Sequence, residues 1–222
     1  MAGYCHQYKT IFRTPIIGVL GHIRIDVKYI ICYCLNMNKR IFISISLPKN
    51  IQDKLVSYQE EISRSFTNFN DFCPIKWTKK HNLHITLFFV GYVELDDLVN
   101  VFEVVENIAK NHERFKIDLK DIYYGPKEKS PKMVWVSGEN SPELGELQAE
   151  LEKELLDVRQ PDNSFTPHIT LGRIVQWQFN KIELEERPDI FKDIDLSFPV
   201  DSIEIMESEG AHYTVLKSIS LK

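Results

Sequence analysis

The tetrapeptide His84-Ile85-Thr86-Leu87 is written a second time as His168-Ile169-Thr170-Leu171, and this repetition constrains the chain more than any other feature in it. Each copy sits in a short apolar run, Leu83 to Val90 and Ile169 to Ile174, that reads as a strand. Alternate side chains of a strand share a face, so each copy sets an imidazole beside a hydroxyl. Ile85, Leu87, Ile169 and Leu171 then pack on the opposite face. One histidine near one threonine on a strand is more often structural than catalytic. Two identical copies instead predict a paired site.

Imidazole is the side chain best poised to give or take a proton near neutral pH. Two of them on facing strands can bracket one reacting atom, one as acid and one as base. A threonine hydroxyl beside each can hydrogen-bond the non-bridging oxygens of a phosphate held between them. That layout suits in-line cleavage of a phosphoester without a metal or other cofactor. Zinc is the competing use of histidine, and His81 and His84 invite it. Three residues apart on a strand they face opposite ways, and no Cys, Asp or Glu stands at a familiar ligand spacing.

The rest of the composition narrows the classes. A net charge of -5 over 222 residues argues against a protein that coats nucleic acid through bulk charge, but leaves room for a local phosphate site. The 4 cysteines form neither a disulfide framework nor a zinc pattern, which suits a reducing cytoplasm. Residues 1–36 are broken by charges before any stretch long enough to span a bilayer, and they lack a signal-peptide layout, so no membrane is expected. They read as a poorly packed N-terminal extension or as translation from a start upstream of Met37, with residues 37–222 forming one bilobal domain.

From Arg40 the pattern sharpens. Ile41, Ile43, Ile45 and Leu47 alternate as a strand, and Pro48 suits the first turn of a helix carrying Ile51, Leu55, Tyr58, Ile62 and Phe66 on one face. Ile75 to Thr78 is a short strand before the first motif, and Gly91 ends the motif strand. A second helix is expected from Leu95 to Arg114, strands at Phe115 to Leu119 and Met133 to Val136, and a third helix from near Ser141 carrying Leu144, Leu147, Leu151 and Leu155. After the second motif come strands near Ile194 to Phe198, Ser202 to Met206 and Tyr213 to Leu221. This order predicts an α+β fold: two similar lobes of antiparallel sheet, helices outside, and a central cleft with one His-x-Thr motif from each lobe.

At these residues the chain resembles the two-histidine phosphoesterase superfamily, marked by a repeated His-x-Thr/Ser-x motif. More narrowly it resembles the RNA 2',3'-cyclic phosphodiesterases, also described as 2'-5' RNA ligases. The resemblance runs from Lys39 to Leu221 and includes Arg40 to Pro48, Asn82 to Leu87, Phe165 to Arg173 and Ser202 to Ser208. It implies hydrolysis of a terminal 2',3'-cyclic phosphate of RNA to a 2'-phosphate, with His84 as proton donor and His168 as proton acceptor. Thr86 and Thr170 would hold the phosphate. The order of the two histidine roles comes from the resemblance; spacing leaves it open. One departure lies nearby: His81 stands where the family commonly has proline.

Several weaker candidates remain. Arg173 has the wrong parity to share a face with Thr170 unless a bulge at Gly172 redirects it. Tyr213 is a second possible substrate contact. Trp77 and Trp135 could stack on a base but read better as core, and the basic cluster Lys76, Lys79 and Lys80 could guide an RNA backbone but reads better as a solvated loop. The expected partner is an RNA 3' end carrying a 2',3'-cyclic phosphate, with no obligate protein partner and a monomeric chain. The rival readings are the same histidines acting on another small cyclic or linear phosphoester, and a binding module that grips RNA ends or nucleotides without turnover.

Overall fold

Strand β1 (Lys39–Ser46) opens the folded region of the computed structural model, which describes residues 39–66, 73–139, 141–155, 165–210 and 212–222. The reading of residues 1–36 as an extension lies outside these residues. Ile41, Phe42, Ile43, Ser44 and Ile45 are all buried, so β1 is covered on both faces and not on the single face its alternation predicts. Pro48 stands just outside helix α1 (Lys49–Ser65), and its carbonyl accepts the amides of Ile51 and Gln52. The helix buries Ile51, Leu55, Gln59 and Ile62 at helical spacing.

The short strand β2 (Ile75–Trp77) leads through a 3-10 turn at Lys80–Asn82 into the first motif strand, β3 (His84–Val93). Gly91 does not end β3. It lies within the strand at φ 94°, a value that favours glycine, where an extra residue enters the pairing with β1. Helix α2 (Leu95–Asn111) stops three residues short of the expected end, because the chain must straighten for β4 (Phe115–Gly125). That strand runs six residues past Leu119, into a stretch whose polar residues disguise it.

Strand β5 (Met133–Gly138) is followed by α3 (Pro142–Leu155), whose first turn is capped by Ser141 Oγ accepting the Leu144 amide at 3.1 Å. The second motif strand is β6 (Ile169–Ile174), and a one-turn helix α4 (Gln176–Phe179) and a 3-10 turn at Leu184–Glu186 carry the chain to β7 (Lys192–Val200). Strands β8 (Ser202–Glu209) and β9 (His212–Ser220) close the fold.

All described strands belong to one antiparallel sheet in the order β7-β4-β5-β6-β3-β1-β8-β9, with β2 added on β6. The two motif strands are its central pair, and they meet at the single register point Ile85 opposite Ile169. On one side stand β1, β8 and β9; on the other, β5, β4 and β7. These are the two similar halves that the repeated motif predicts, joined edge to edge.

The helices cross the seam. Helix α1 follows β1 of the first half but packs on β6 and β7 of the second. Helix α3 follows β5 of the second half but packs on β3 and on α2 in the first. Each motif strand is therefore backed by a helix that the other half supplies. Among the described residues no helix is long and apolar enough to cross a membrane.

Candidate active site

Both motifs fix their imidazole in the same way. Nδ1 of His84 lies 2.7 Å from the carbonyl oxygen of Asn82, and Nδ1 of His168 lies 2.8 Å from that of Thr166. A carbonyl only accepts, so Nδ1 carries the proton in each ring and Nε2 is left to the open face. Thr86 Oγ1 lies 3.1 Å from Nε2 of His84, and donates to it while that nitrogen is neutral. Ile85, Leu87, Ile169 and Leu171 are at most 3% exposed, which anchors both motif strands from behind.

The two strands also share an irregularity. Opposite β1, Ser44 pairs with Thr86 and Ile43 with Phe88, so Leu87 is an extra residue. Opposite β5, Trp135 pairs with Thr170 and Val134 with Gly172, so Leu171 is extra. A bulge after each threonine therefore resets the parity. It brings Arg173 onto the face of Thr170, and by the same spacing brings Phe89 onto the face of Thr86. Thr170 Oγ1 and an Arg173 Nη1 both reach Met133 Sδ, at 3.9 and 3.6 Å. The expected redirection of Arg173 occurs, one residue earlier than Gly172.

Gly172 has a different role. A Cβ there would lie 2.5 Å from Ile75 Cγ2 and 2.8 Å from Trp77 Cε3, so only glycine lets β2 close on the bulge. The carbonyl of Leu171, turned out by the bulge, is met by the amide of Thr78 at 2.8 Å and by Gln59 Nε2 at 2.8 Å. Gln59 is buried and polar because it holds this irregular backbone from α1.

The surroundings of the two rings differ. His168 stacks on the buried indole of Trp135, centroids 3.9 Å apart and planes at 21°. His84 meets Phe42 at 5.1 Å and the edge of Tyr213 at 5.4 Å. Burial pushes the His84 pKa below its ordinary value of 6.5, its Asn82 hydrogen bond opposes this, and the charges of His168 and Arg173 push it further down. Burial also lowers His168, with the Thr166 hydrogen bond opposing and the charge of Arg173 adding to the fall. Beside Thr86 in the sheet, Ser44 of β1 is wholly buried, and Glu204 of β8 accepts the Ser46 amide at 2.9 Å, with burial pushing the Glu204 carboxyl up.

Six sequence candidates thus gather on one face: His84, Thr86, His168, Thr170, Arg173 and Tyr213. Of the rest, Lys76 lies in strand β2 and not in a loop, opposite Arg173 and so on the same face, and the others do not join them. His81 is exposed in the 3-10 turn, Lys80 pairs with Asp53, and Trp77 donates to Ser63 Oγ at 2.7 Å. Trp135 is core, as the sequence suggests, but it is also the surface against which His168 rests. Phe89 and Phe42 are not among the sequence candidates. The spacing of Phe89 after Thr86 is identical to that of Arg173 after Thr170, and that likeness is a signal by which it could be found. Among the described residues no group of three or more His, Cys, Asp or Glu side chains could hold a metal ion.

Comparison with known proteins agrees with this architecture. The family model described as the 2'-5' RNA ligase superfamily matches residues 59–212. The RNA 2',3'-cyclic phosphodiesterase of Methanocaldococcus jannaschii is 29% identical over 184 residues, covering 80% of this chain and 98% of that protein. The protein of the same name from Thermus thermophilus is 30% identical over 195 residues, covering 82% of this chain and 90% of its own length. Among solved structures, TT0787 of Thermus thermophilus superposes with a TM-score of 0.67 at 25% identity, covering 82% of this chain and 97% of its own. LigT of E. coli, solved with 3'-AMP, superposes with a TM-score of 0.66 at 24% identity, covering 83% and 99%.

Proposed function

Because this chain belongs to the 2'-5' RNA ligase superfamily, we propose that it hydrolyses 2',3'-cyclic phosphate ends of RNA to 2'-phosphomonoesters. The observation that carries this reading is the pair of imidazoles on the two central strands, each held by a carbonyl with Nε2 turned to the shared face. His168 takes a proton from the attacking water as the new P–O bond forms. His84 gives its Nε2 proton to the 3'-oxygen as the P–O3' bond breaks.

Two features support that division of labour. The indole face behind His168 favours its cationic form, an effect of about 0.5–2 kcal/mol. Once His168 has taken its proton, its charge pushes the His84 proton toward the leaving oxygen, adding to the lowering that burial gives. Thr86 and Thr170 hold the non-bridging oxygens, Arg173 neutralises charge that builds on them, and Phe89 and Tyr213 offer rings to the terminal base. The chain works as a monomer in the cytoplasm with RNA ends as its partner, and no metal or organic cofactor has a part in the chemistry.

The direct test is phosphorus NMR of a short RNA ending in a 2',3'-cyclic phosphate, incubated with the protein in excess EDTA. The expected product is the 2'-phosphate. A 3'-phosphate would reverse the leaving group, and no turnover with or without added metal would overturn the reading.

The lowered imidazoles also set the pH dependence. Turnover needs one ring protonated and one neutral, so kcat/KM follows a bell centred between the two macroscopic pKa values of the pair. Both lie below 6.5 in the free protein. The pH profile of kcat/KM is therefore expected to peak on the acid side of 6.5, and Arg173→Met should move the peak upward. A wild-type peak on the alkaline side of 6.5 would contradict the electrostatics described above.

A further inference from the structure

The geometry points to a second phosphate subsite, formed by Lys76 with Arg173, that takes the phosphodiester on the 5' side of the reacting nucleotide; it rests on the proposed activity at RNA ends. Strand β2 pairs with β6 so that Lys76 stands directly opposite Arg173. Directly opposed residues of an antiparallel pair carry their side chains on one face, with Cβ atoms about 5 Å apart. Arg173 is on the face of Thr170, so Lys76 is too.

Two like charges in that position weaken the pairing they sit on. Both side chains are exposed, and neither forms an ion pair with a carboxylate among the described residues. By contrast the neighbouring Lys80 is matched with Asp53. An unmatched pair of cations facing the same way is suited to hold an anion between them.

The direction of the row identifies the anion. Strands β3 and β2 lie along the same edge of β6, β3 meeting it at Ile169 and β2 at Gly172 to Ile174. Lys76 therefore continues, farther along β6, the line that begins at the catalytic imidazoles. Arg173 is close enough to lower both imidazoles. It links the reacting phosphate to the next position, where Lys76 completes the site. A mononucleoside 2',3'-cyclic phosphate has no group to place there; a dinucleotide ending in the same cyclic phosphate does.

The test compares these two substrates in the wild type, Lys76→Gln and Lys76→Arg. Lys76→Gln is expected to lower kcat/KM on the dinucleotide roughly ten-fold, to change it less than two-fold on the mononucleotide, and to be rescued by Lys76→Arg. The slope of log kcat/KM against log salt for the dinucleotide should also shrink by about 0.7, the share of one phosphate contact on a single strand. An unchanged dinucleotide rate, or an equal loss on both substrates, would overturn the subsite while leaving the proposed activity standing. Failure of the wild type to turn over either substrate would overturn both. Equal melting temperatures of the variants confirm that a rate loss is not a folding defect.

Discussion

Replacing either His84 or His168 with alanine is expected to lower kcat on an RNA cyclic-phosphate end by roughly a hundred- to ten-thousand-fold, the range that positioned proton transfer commonly supplies. In the proposed mechanism the two losses arise from different halves of the reaction. Without His168 the attacking water keeps its proton; without His84 the 3'-oxygen must leave as an alkoxide. Because the rings act as one unit, the double variant should be little slower than the worse single variant, far short of the product of the two losses. Each substitution removes one ring contact, His84 with Phe42 or His168 with Trp135, while Ile85, Leu87, Ile169 and Leu171 still supply the anchoring. Thermal melts of both variants should stay near the wild type. A single-turnover assay alongside the melt separates chemistry from folding, and near wild-type turnover in either variant would sink the mechanism.

The largest effect expected on stability lies at the far edge of the second half. Phe179 is 1% exposed in the one-turn helix α4, with the ring of Tyr124 at 5.6 Å and the guanidinium of Arg187 at 4.5 Å over its face. It pins the long connection from β6 to β7, together with the Tyr124 hydroxyl, which donates to the Pro188 carbonyl at 3.1 Å. Phe179→Ala would remove the ring, leave a cavity and take away the face under Arg187, costing about 3–5 kcal/mol. For a chain of this size that corresponds to a fall in melting temperature of roughly 6–20 °C. The two motif imidazoles are untouched, so kcat well below the transition should be retained. A melt within a degree or two of the wild type would mean that the connection is held by something else.

The parts of this molecule that are legible in the sequence are those written in periodicity. Leu144, Leu147, Leu151 and Leu155 recur at helical spacing and are all buried on α3. His84 with Thr86 and His168 with Thr170 obey the period of two, and they share a face as that period demands. What the sequence hides breaks its own period. A bulge leaves no compositional mark when the extra residue is a leucine, as Leu87 and Leu171 both are. The parity of Arg173 and Phe89 is therefore settled only by the register of the partner strands.

Trp135 shows a second limit. Burial and contact with a reacting ring are the same signal in a sequence, because both favour a large apolar residue. Gln59 shows a third: a glutamine in the middle of an apolar helix face looks like an error of pattern until the carbonyl it meets is known. The exchange of helices between the halves is invisible too, since periodicity tells which face of a helix is buried but not against what.

That exchange has a consequence for ancestry. A single half, cut from this arrangement, would leave the back of its own motif strand bare, because the covering helix belongs to its counterpart. Two copies trading helices about a twofold axis would cover both and would bring two identical His-Ile-Thr-Leu strands edge to edge. The present chain has the logic of such a helix-swapped pair held in one polypeptide, with its last two strands, β8 and β9, returned to the half that begins with β1. In that light, the unlike neighbours of the two rings, an indole behind one and a tyrosine ring beside the other, are where the two halves depart from such a symmetry.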